Sequence, residues 1–378
     1  MSAFLRIERA PAYASRMSFR DLAGRVLCAG FPGREGGALP PEIQSRLDRD
    51  ALGGIILFKR NLGALAETAG LIDRANQYAR SAGTASPLIA IDQEGGRVAR
   101  LGAPFLKLPP MRQLGERDDL TLTTQCARVL GQQLAQLGIT LDFAPVMDID
   151  TNPANPVIGD RSFGRTPEVV TAHALAFARG LAQAGVASCA KHFPGHGDTD
   201  LDSHFALPRI AHDRARLDAV ELAPFRACKG AIPSIMTAHV LFDALDKDVP
   251  ATLSKRVITG LLREELGYDG VIVSDDLEMK AVAAHWGIAD SAVRAIEAGC
   301  DLLLVCSSLT ELDAAESALA HRAETNEAFR ARLEEAAGRV LAMRKRYPVR
   351  ARAMDWERSI STEESIGLEV LLGTRPSN

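Results

Sequence analysis

Eight short apolar runs punctuate the chain: Val26–Phe31, Gly54–Phe58, Leu88–Asp92, Leu141–Met147, Val186–Ala190, Ile235–His239, Val271–Ser274 and Leu302–Cys306. Several are rich in β-branched residues, and most are continuous rather than alternating, as expected of parallel strands covered on both faces. Between them lie segments with apolar residues at helical spacing. The spacing predicts helices over Ala64–Ala82, Thr121–Leu137, Pro167–Ala184, Asp213–Lys229, Lys255–Leu266 and Ile288–Ala298. Several of these stop at a glycine, and Thr166 stands where an N-cap is needed. Two more helices are expected over Thr310–His321 and Ala328–Arg346. Strand and helix alternating about eight times predicts an α/β protein of the (β/α)8 TIM-barrel class, a single catalytic domain over 1–348. Beyond Pro348 the periodicity fades, so 349–378 is expected to be a partly disordered C-terminal tail.

Polar residues gather immediately after the strands. They read KRN at 59–61, DQEGGR at 92–97, DID at 148–150, KHFPGHGD at 191–198, AHV at 238–240 and SDD at 274–276. Those are the C-terminal strand ends, where barrel enzymes place their chemistry. The densest is Lys191–His204, KHFPGHGDTDLDSH, with three histidines, three aspartates and a lysine in fourteen residues. A segment this polar cannot be core unless each charge is paired. Asp202 and His204, two residues apart, suit a carboxylate that orients an imidazole for proton transfer in both directions. A competing reading makes His192, His196, Asp198 and His204 a metal site, although the interval is not a compact helical histidine pair. Pro194, Gly195 and Gly197 suggest a segment that swings, with His196 shaping the turn.

Asp275 and Asp276 end a strand ahead of a predicted helix. One is expected to cap that helix and the other to face the barrel mouth as an ionised carboxylate, the group needed for covalent attack on an anomeric carbon. Asp92 suits acceptance from two vicinal hydroxyls. Arg97 is expected to pair with Glu94, leaving Arg100 to fork onto substrate. Arg161 lies on a long irregular loop, 148–167.

Composition narrows the classes. A formal net charge of −4 in 378 residues excludes a polyelectrolyte binder, so neither nucleic acid nor a membrane surface is an expected partner. No apolar run reaches signal-peptide or membrane-helix length. Six scattered cysteines suit reduced thiols, and a cytoplasmic location is expected.

The motifs IDQEGGRVAR, GDRSFG, KHFPGHGDTDLDSH, MTAHV and SDDLEM, in this order and spacing, resemble family 3 glycoside hydrolases. They are most similar to the single-domain bacterial β-N-acetylglucosaminidases (β-hexosaminidases) of the NagZ type. The resemblance covers roughly Ser18 to Cys306. It implies retaining hydrolysis of terminal non-reducing N-acetylglucosamine from GlcNAc-1,6-anhydroMurNAc, with or without peptide, in peptidoglycan recycling. It also implies Asp275 as nucleophile, His204 as acid/base with Asp202 as its dyad partner, and Asp92, Arg100, Arg161, Lys191 and His192 as the sugar-binding set. No cofactor or metal is implied, and the expected partner is the small muropeptide or disaccharide substrate of a monomeric enzyme. A family 3 β-glycosidase with another sugar preference, or a metal-dependent hydrolase, are the alternatives.

Overall fold

The computed structural model describes residues 17–33, 38–203, 206–352 and 354–375. Eight parallel strands close into a barrel in chain order. They are β1 (Leu27–Ala29), β2 (Gly54–Leu57), β3 (Leu88–Ile91), β4 (Leu141–Asp142), β5 (Ala187–Phe193), β6 (Ser234–Thr237), β7 (Val271–Asp276) and β8 (Leu302–Val305). β1 pairs with both β2 and β8, so no barrel edge is left open. The fold is the expected (β/α)8 barrel, with helices on the outside.

The continuous apolar runs resolve into two cores because successive strand side chains face opposite ways. Cys28, Ile56, Ala90, Cys189, Val273 and Leu304 pack inside the barrel. Their neighbours Leu27, Ile55, Ile89, Ala190, Ile272 and Leu303 pack outward against the helices. Val340, Met343 and Tyr347, from the end of helix Glu327–Arg346, join the interior cluster. Arg344 beside them is 2% exposed, bonds Ser86 O at 3.0 Å and pairs with Asp50 Oδ1 at 2.9 Å. Ser86 and Asp50 precede β3 and β2, so this helix closes the N-terminal end of the barrel. Chemistry is left to the other end.

Three local expectations change. The segment 213–229 forms two helices, Arg214–Ala219 and Ala223–Arg226, because Pro224 has no N–H with which to continue the first. The helix expected from Ile288 begins at Lys280 and is interrupted at Gly287, whose φ of 69° an L side chain rarely adopts. The chain after Pro348 carries a ten-residue helix, Glu363–Leu372, capped by Thr362. Ser365, Leu368 and Leu372 are buried there, Glu364 accepts from Gln125 at 2.8 Å, and Glu369 accepts from the Lys107 N–H at 3.0 Å. Its apolar positions were hidden by the polar stretch that separates it from Pro348.

Candidate active site

One step of two residues beyond the interior apolar layer brings Phe58, Asp92, Lys191, Asp275 and Cys306 to the inward face of their strands. Phe58 packs on the interior cluster and Cys306 belongs to it, so together they form an apolar floor under charged neighbours.

Asp92 and Glu94, on the same side of the chain leaving β3, share Lys191. Its Nζ lies 2.9 Å from Asp92 Oδ1 and 2.6 Å from Glu94 Oε1. Arg161 grips Glu94 with two bonds, from Nε at 2.9 Å and Nη2 at 2.8 Å, and Arg100 Nη2 donates to Asp92 at 3.0 Å. Burial alone would raise both carboxyls, but Lys191 and Arg100 outweigh it at Asp92, and Arg161 and Lys191 do so at Glu94; both end below their usual values. Burial works against Lys191 and Arg161 too, and the carboxylates outweigh it, holding both firmly cationic. The expected Arg97–Glu94 pair does not form. Glu94 points into the mouth, so Arg161 and Lys191 take it, while Arg97 lies outside against Asp160 (3.3 Å) and the Val157 carbonyl (2.5 Å).

Donors remain after this pairing. Lys191 spends two of its three on Asp92 and Glu94, and Arg161 spends three of its five on Glu94 and the Val157 carbonyl. His192 Nδ1 is 2.6 Å from Asp148 Oδ2, an arrangement that fixes the ring and leaves Nε2 without a partner among the described residues. Asp148 is fully buried, yet His192, and the His196 N–H at 2.7 Å, hold it ionised below the ordinary range. The result is a wall of mutually paired charged groups with hydrogen-bond donors to spare.

Across the mouth, β7 ends in a bulge. Val273 pairs with Leu302 and Asp276 with Leu304, three residues against two. A bulge re-aims side chains, and Asp275 and Asp276 are both half-buried here. The Asp276 N–H donates to Asp275 Oδ1 at 2.8 Å, and Asp276 Oδ1 accepts from the Glu278 N–H at 3.0 Å. Neither aspartate caps the helix as expected. The turn Leu277–Met279 intervenes, Met279 is the N-cap residue, and Asp276 caps that turn instead. Burial lifts Asp276 to about 7, with Glu278 and Asp275 adding to the rise.

The segment Lys191–Thr199 is stitched down rather than hinged at its glycines. A Cβ on Gly197 would lie 1.8 Å from the Ile149 carbonyl oxygen, so Gly197 is there for close approach. Asn155 donates to the His196 carbonyl at 2.9 Å, Asn152 to the Thr199 carbonyl at 3.2 Å, and Thr151 to Asp198 at 2.9 Å. His196 is buried, with Nδ1 2.7 Å from Thr199 Oγ1 and Nε2 3.0 Å from Ser203 Oγ. The Thr199 hydroxyl is committed to the His196 carbonyl, so Nδ1 carries the proton and Nε2 accepts from Ser203. Burial, aided by His192, pushes this ring down to about 4 and keeps it neutral. Exposure begins at Asp200 and Leu201, so any swing belongs after Thr199. The Ser203 carbonyl accepts from the Ala281 N–H at 3.3 Å, which brings the end of the loop to the β7 side. Asp202 is half-buried in this stretch; His204 lies outside the described residues.

Asp198 meanwhile pairs with His212, away from His192 and His196. His192, His196 and Asp198 each answer to a different protein group, and no cluster of three metal-ligating side chains forms among the described residues.

Several of these groups escape a reading of the sequence. Glu94 follows Asp92 at the strand period of two, a signal obscured by assigning it to Arg97. Asp148 and Asp142 are recognisable only from what surrounds them. Asp142 is fully buried, with Oδ1 accepting from the Gln93 N–H at 2.9 Å and Oδ2 unpartnered. Burial lifts it to about 7. Because its folded pKa exceeds the unfolded one, the folded state keeps a proton that the unfolded chain releases, and stability falls as pH rises from about 4 to about 7. Asp142→Asn is therefore expected to lose less melting temperature than the unsubstituted protein between pH 5 and pH 7.5. Parallel melting curves would contradict the buried neutral acid.

An aspartate pair ending β7 and a network of charged donors and acceptors after β3 and on β5 stand together at the C-terminal end of a (β/α)8 barrel, where barrel enzymes place their chemistry. Residues 34–343 match the glycosyl hydrolase family 3 N-terminal domain. A β-hexosaminidase of Chromobacterium violaceum is 39% identical over 336 residues, spanning 87% of this chain and 89% of that protein. The structure of a family 3 β-N-acetylglucosaminidase from Paenibacillus sp. str. FPU-7 superposes with a TM-score of 0.89 at 41% identity, over 94% of this chain and 68% of that one. NagZ from Neisseria gonorrhoeae, in complex with N-trifluoroacetyl-D-glucosamine, gives a TM-score of 0.74 at 33% identity, over 91% and 97% of the two chains. The chain belongs to glycosyl hydrolase family 3, and within it to the β-hexosaminidases.

Proposed function

We propose that the protein is a retaining exo-β-N-acetylglucosaminidase that removes terminal non-reducing N-acetylglucosamine from GlcNAc-1,6-anhydroMurNAc, with or without peptide, in peptidoglycan recycling. The observation that carries this reading is the placement of Asp275 on the β7 bulge, across the mouth from the Asp92–Lys191–His192 wall. Asp92, Arg100, Arg161, Lys191 and His192 hold the ring through the donors and acceptors their mutual pairing leaves over. Asp275 attacks the anomeric carbon as the glycosidic bond breaks, and His204 protonates the departing oxygen. Water then cleaves the glycosyl–aspartate, with His204 accepting its proton and Asp202 stabilising the imidazolium. Among the described residues no helix is long and apolar enough to cross a membrane, and all six cysteines are buried free thiols. Both features fit action in the cytoplasm on soluble wall fragments.

The deciding experiment follows release of N-acetylglucosamine from the anhydro-disaccharide by mass spectrometry, alongside nitrophenyl N-acetylglucosaminide and nitrophenyl glucoside. Cleavage of the first two but not the third is expected; preference for the glucoside would overturn the sugar assignment. His204→Ala is expected to lower kcat/KM on the disaccharide by about 10²–10⁴-fold, and far less on a substrate with a dinitrophenyl leaving group. Equal losses on both would remove His204 from the acid role.

A further inference from the structure

A cavity of about 530 Å³ opens beside the site, between the segment following β3 and the C-terminal helix Glu363–Leu372. Neither Asp275 nor His192 lines it, so it is not the place where the sugar ring is held. Arg100 does line it, with its guanidinium on Asp92, which puts the cavity and the sugar-binding wall one arginine side chain apart. Its far wall is formed by Ser361, Ser365, Ile366 and Glu369, all beyond residue 343, where the family match ends. The compartment is therefore built in part by a segment that the family pattern does not contain.

Its charge is unbalanced. Four cations line it: Lys59, Arg100, Lys107 and Arg375, with Glu369 as the anion. Arg100 is neutralised by Asp92, and Arg375 by Glu369 at 3.4 Å. The ammonium groups of Lys59 and Lys107 have no acidic or hydrogen-bonding partner among the described residues. Arg100 Nε is buried without an acceptor as well. Two unopposed positive charges, mixed with Leu101, Phe105 and Ile366, suit an extended ligand that is part apolar and carries carboxylates.

We propose that this cavity is an accessory subsite for a carboxylate-bearing peptide arm on the leaving group, with Lys59 and Lys107 as its anion-reading residues. The proposal rests on the substrate reading of the preceding section. An arm of three residues extends about 10 Å at ~3.5 Å per residue, and the cavity it would enter begins at Arg100, whose guanidinium is on Asp92. A lactyl carboxylate attached directly to the leaving sugar lacks that reach.

The test is a charge-reversed double variant, Lys59→Glu with Lys107→Glu. Both lysines are exposed and neither belongs to the sugar-binding wall. Three substrates are compared: nitrophenyl N-acetylglucosaminide, the peptide-free anhydro-disaccharide and the disaccharide with its peptide. The variant is expected to lose about tenfold in kcat/KM on the peptide-bearing substrate, through KM, as two partly solvated charge contacts would give. The unsubstituted enzyme's KM for that substrate should rise with ionic strength, and the variant's should not. Activity on the nitrophenyl glycoside should stay unchanged. Equal losses on the peptide-free disaccharide, or on all three substrates, would overturn the peptide subsite, as would no loss at all. Hydrolysis of the nitrophenyl glycoside by the unsubstituted enzyme, without cleavage of either disaccharide, would instead bring down the underlying substrate reading and the subsite with it.

Discussion

Asp275→Asn is expected to lower turnover of nitrophenyl N-acetylglucosaminide by about 10⁴-fold or more, the scale on which loss of an enzymatic nucleophile is felt. Asp276→Asn is expected to retain activity within about tenfold, because an amide keeps the oxygen that accepts from the Glu278 N–H. The contrast matters because both aspartates end β7 half-buried at its bulge, and position alone does not choose between them. Attack on an anomeric carbon needs a carboxylate anion, and burial raises the Asp276 carboxyl to about 7, which favours Asp275 as the proposed nucleophile. A 2-fluoro glycoside, whose glycosyl–enzyme ester persists, should label the peptide that contains Asp275 and leave Asp276 free. A label on Asp276, or a large loss in Asp276→Asn with little in Asp275→Asn, would exchange the two roles.

The barrel itself is legible in the sequence because each strand is buried on both faces and each is followed by polar residues. That pattern depends on the barrel's layering rather than on any one contact. The helix Glu327–Arg346 is readable as amphipathic, but its service as the plug of the barrel is not. That role depends on Val340, Met343 and Tyr347 meeting Cys28 and Leu302, more than 35 positions away at the nearest. Charged pairs are the least legible part, since sequence proximity misassigns them. Glu94 stands three residues from Arg97 and 67 from Arg161, yet pairs with the distant one, because strand alternation turns it into the mouth while Arg97 turns out. The glycines of the 191–204 segment mislead for a related reason. A glycine admits both flexibility and close approach, and only the position of the Ile149 carbonyl shows that Gly197 serves the second.

Glu94 is consequently the residue outside the reacting groups whose loss should cost most. It is 1% exposed and, among the described residues, is the sole carboxylate bonded to Arg161. Glu94→Ala leaves that buried guanidinium without a bonded carboxylate, with only the more distant charges of Asp148 and Asp92 acting on it, and removes half of the anchoring of Lys191. Breaking a buried pair in this way typically destabilises by about 3–5 kcal/mol. At roughly 2–4 °C per kcal/mol for a chain of a few hundred residues, the melting temperature should fall by about 10 °C. Glu94→Gln, which keeps an acceptor but no charge, should fall between the two. The pH dependence follows from the directions of the shifts. Glu94 is lowered, so its contribution is present above the unfolded value of about 4.3 and is lost as pH falls through its folded value. Lys191 is raised, so its contribution is present below about 10.4 and is lost as pH rises through its folded value. The network therefore stands at full strength between about pH 5 and pH 10. The gap in melting temperature between Glu94→Gln and the unsubstituted protein should hold across that window and close only in acid. Under the proposed role of Lys191 and Arg161 in holding the sugar, KM for N-acetylglucosaminides should rise in both variants at temperatures where each is still folded. A Glu94→Ala protein that melts normally and binds sugar normally would show that Lys191 and Arg161 hold their places without it.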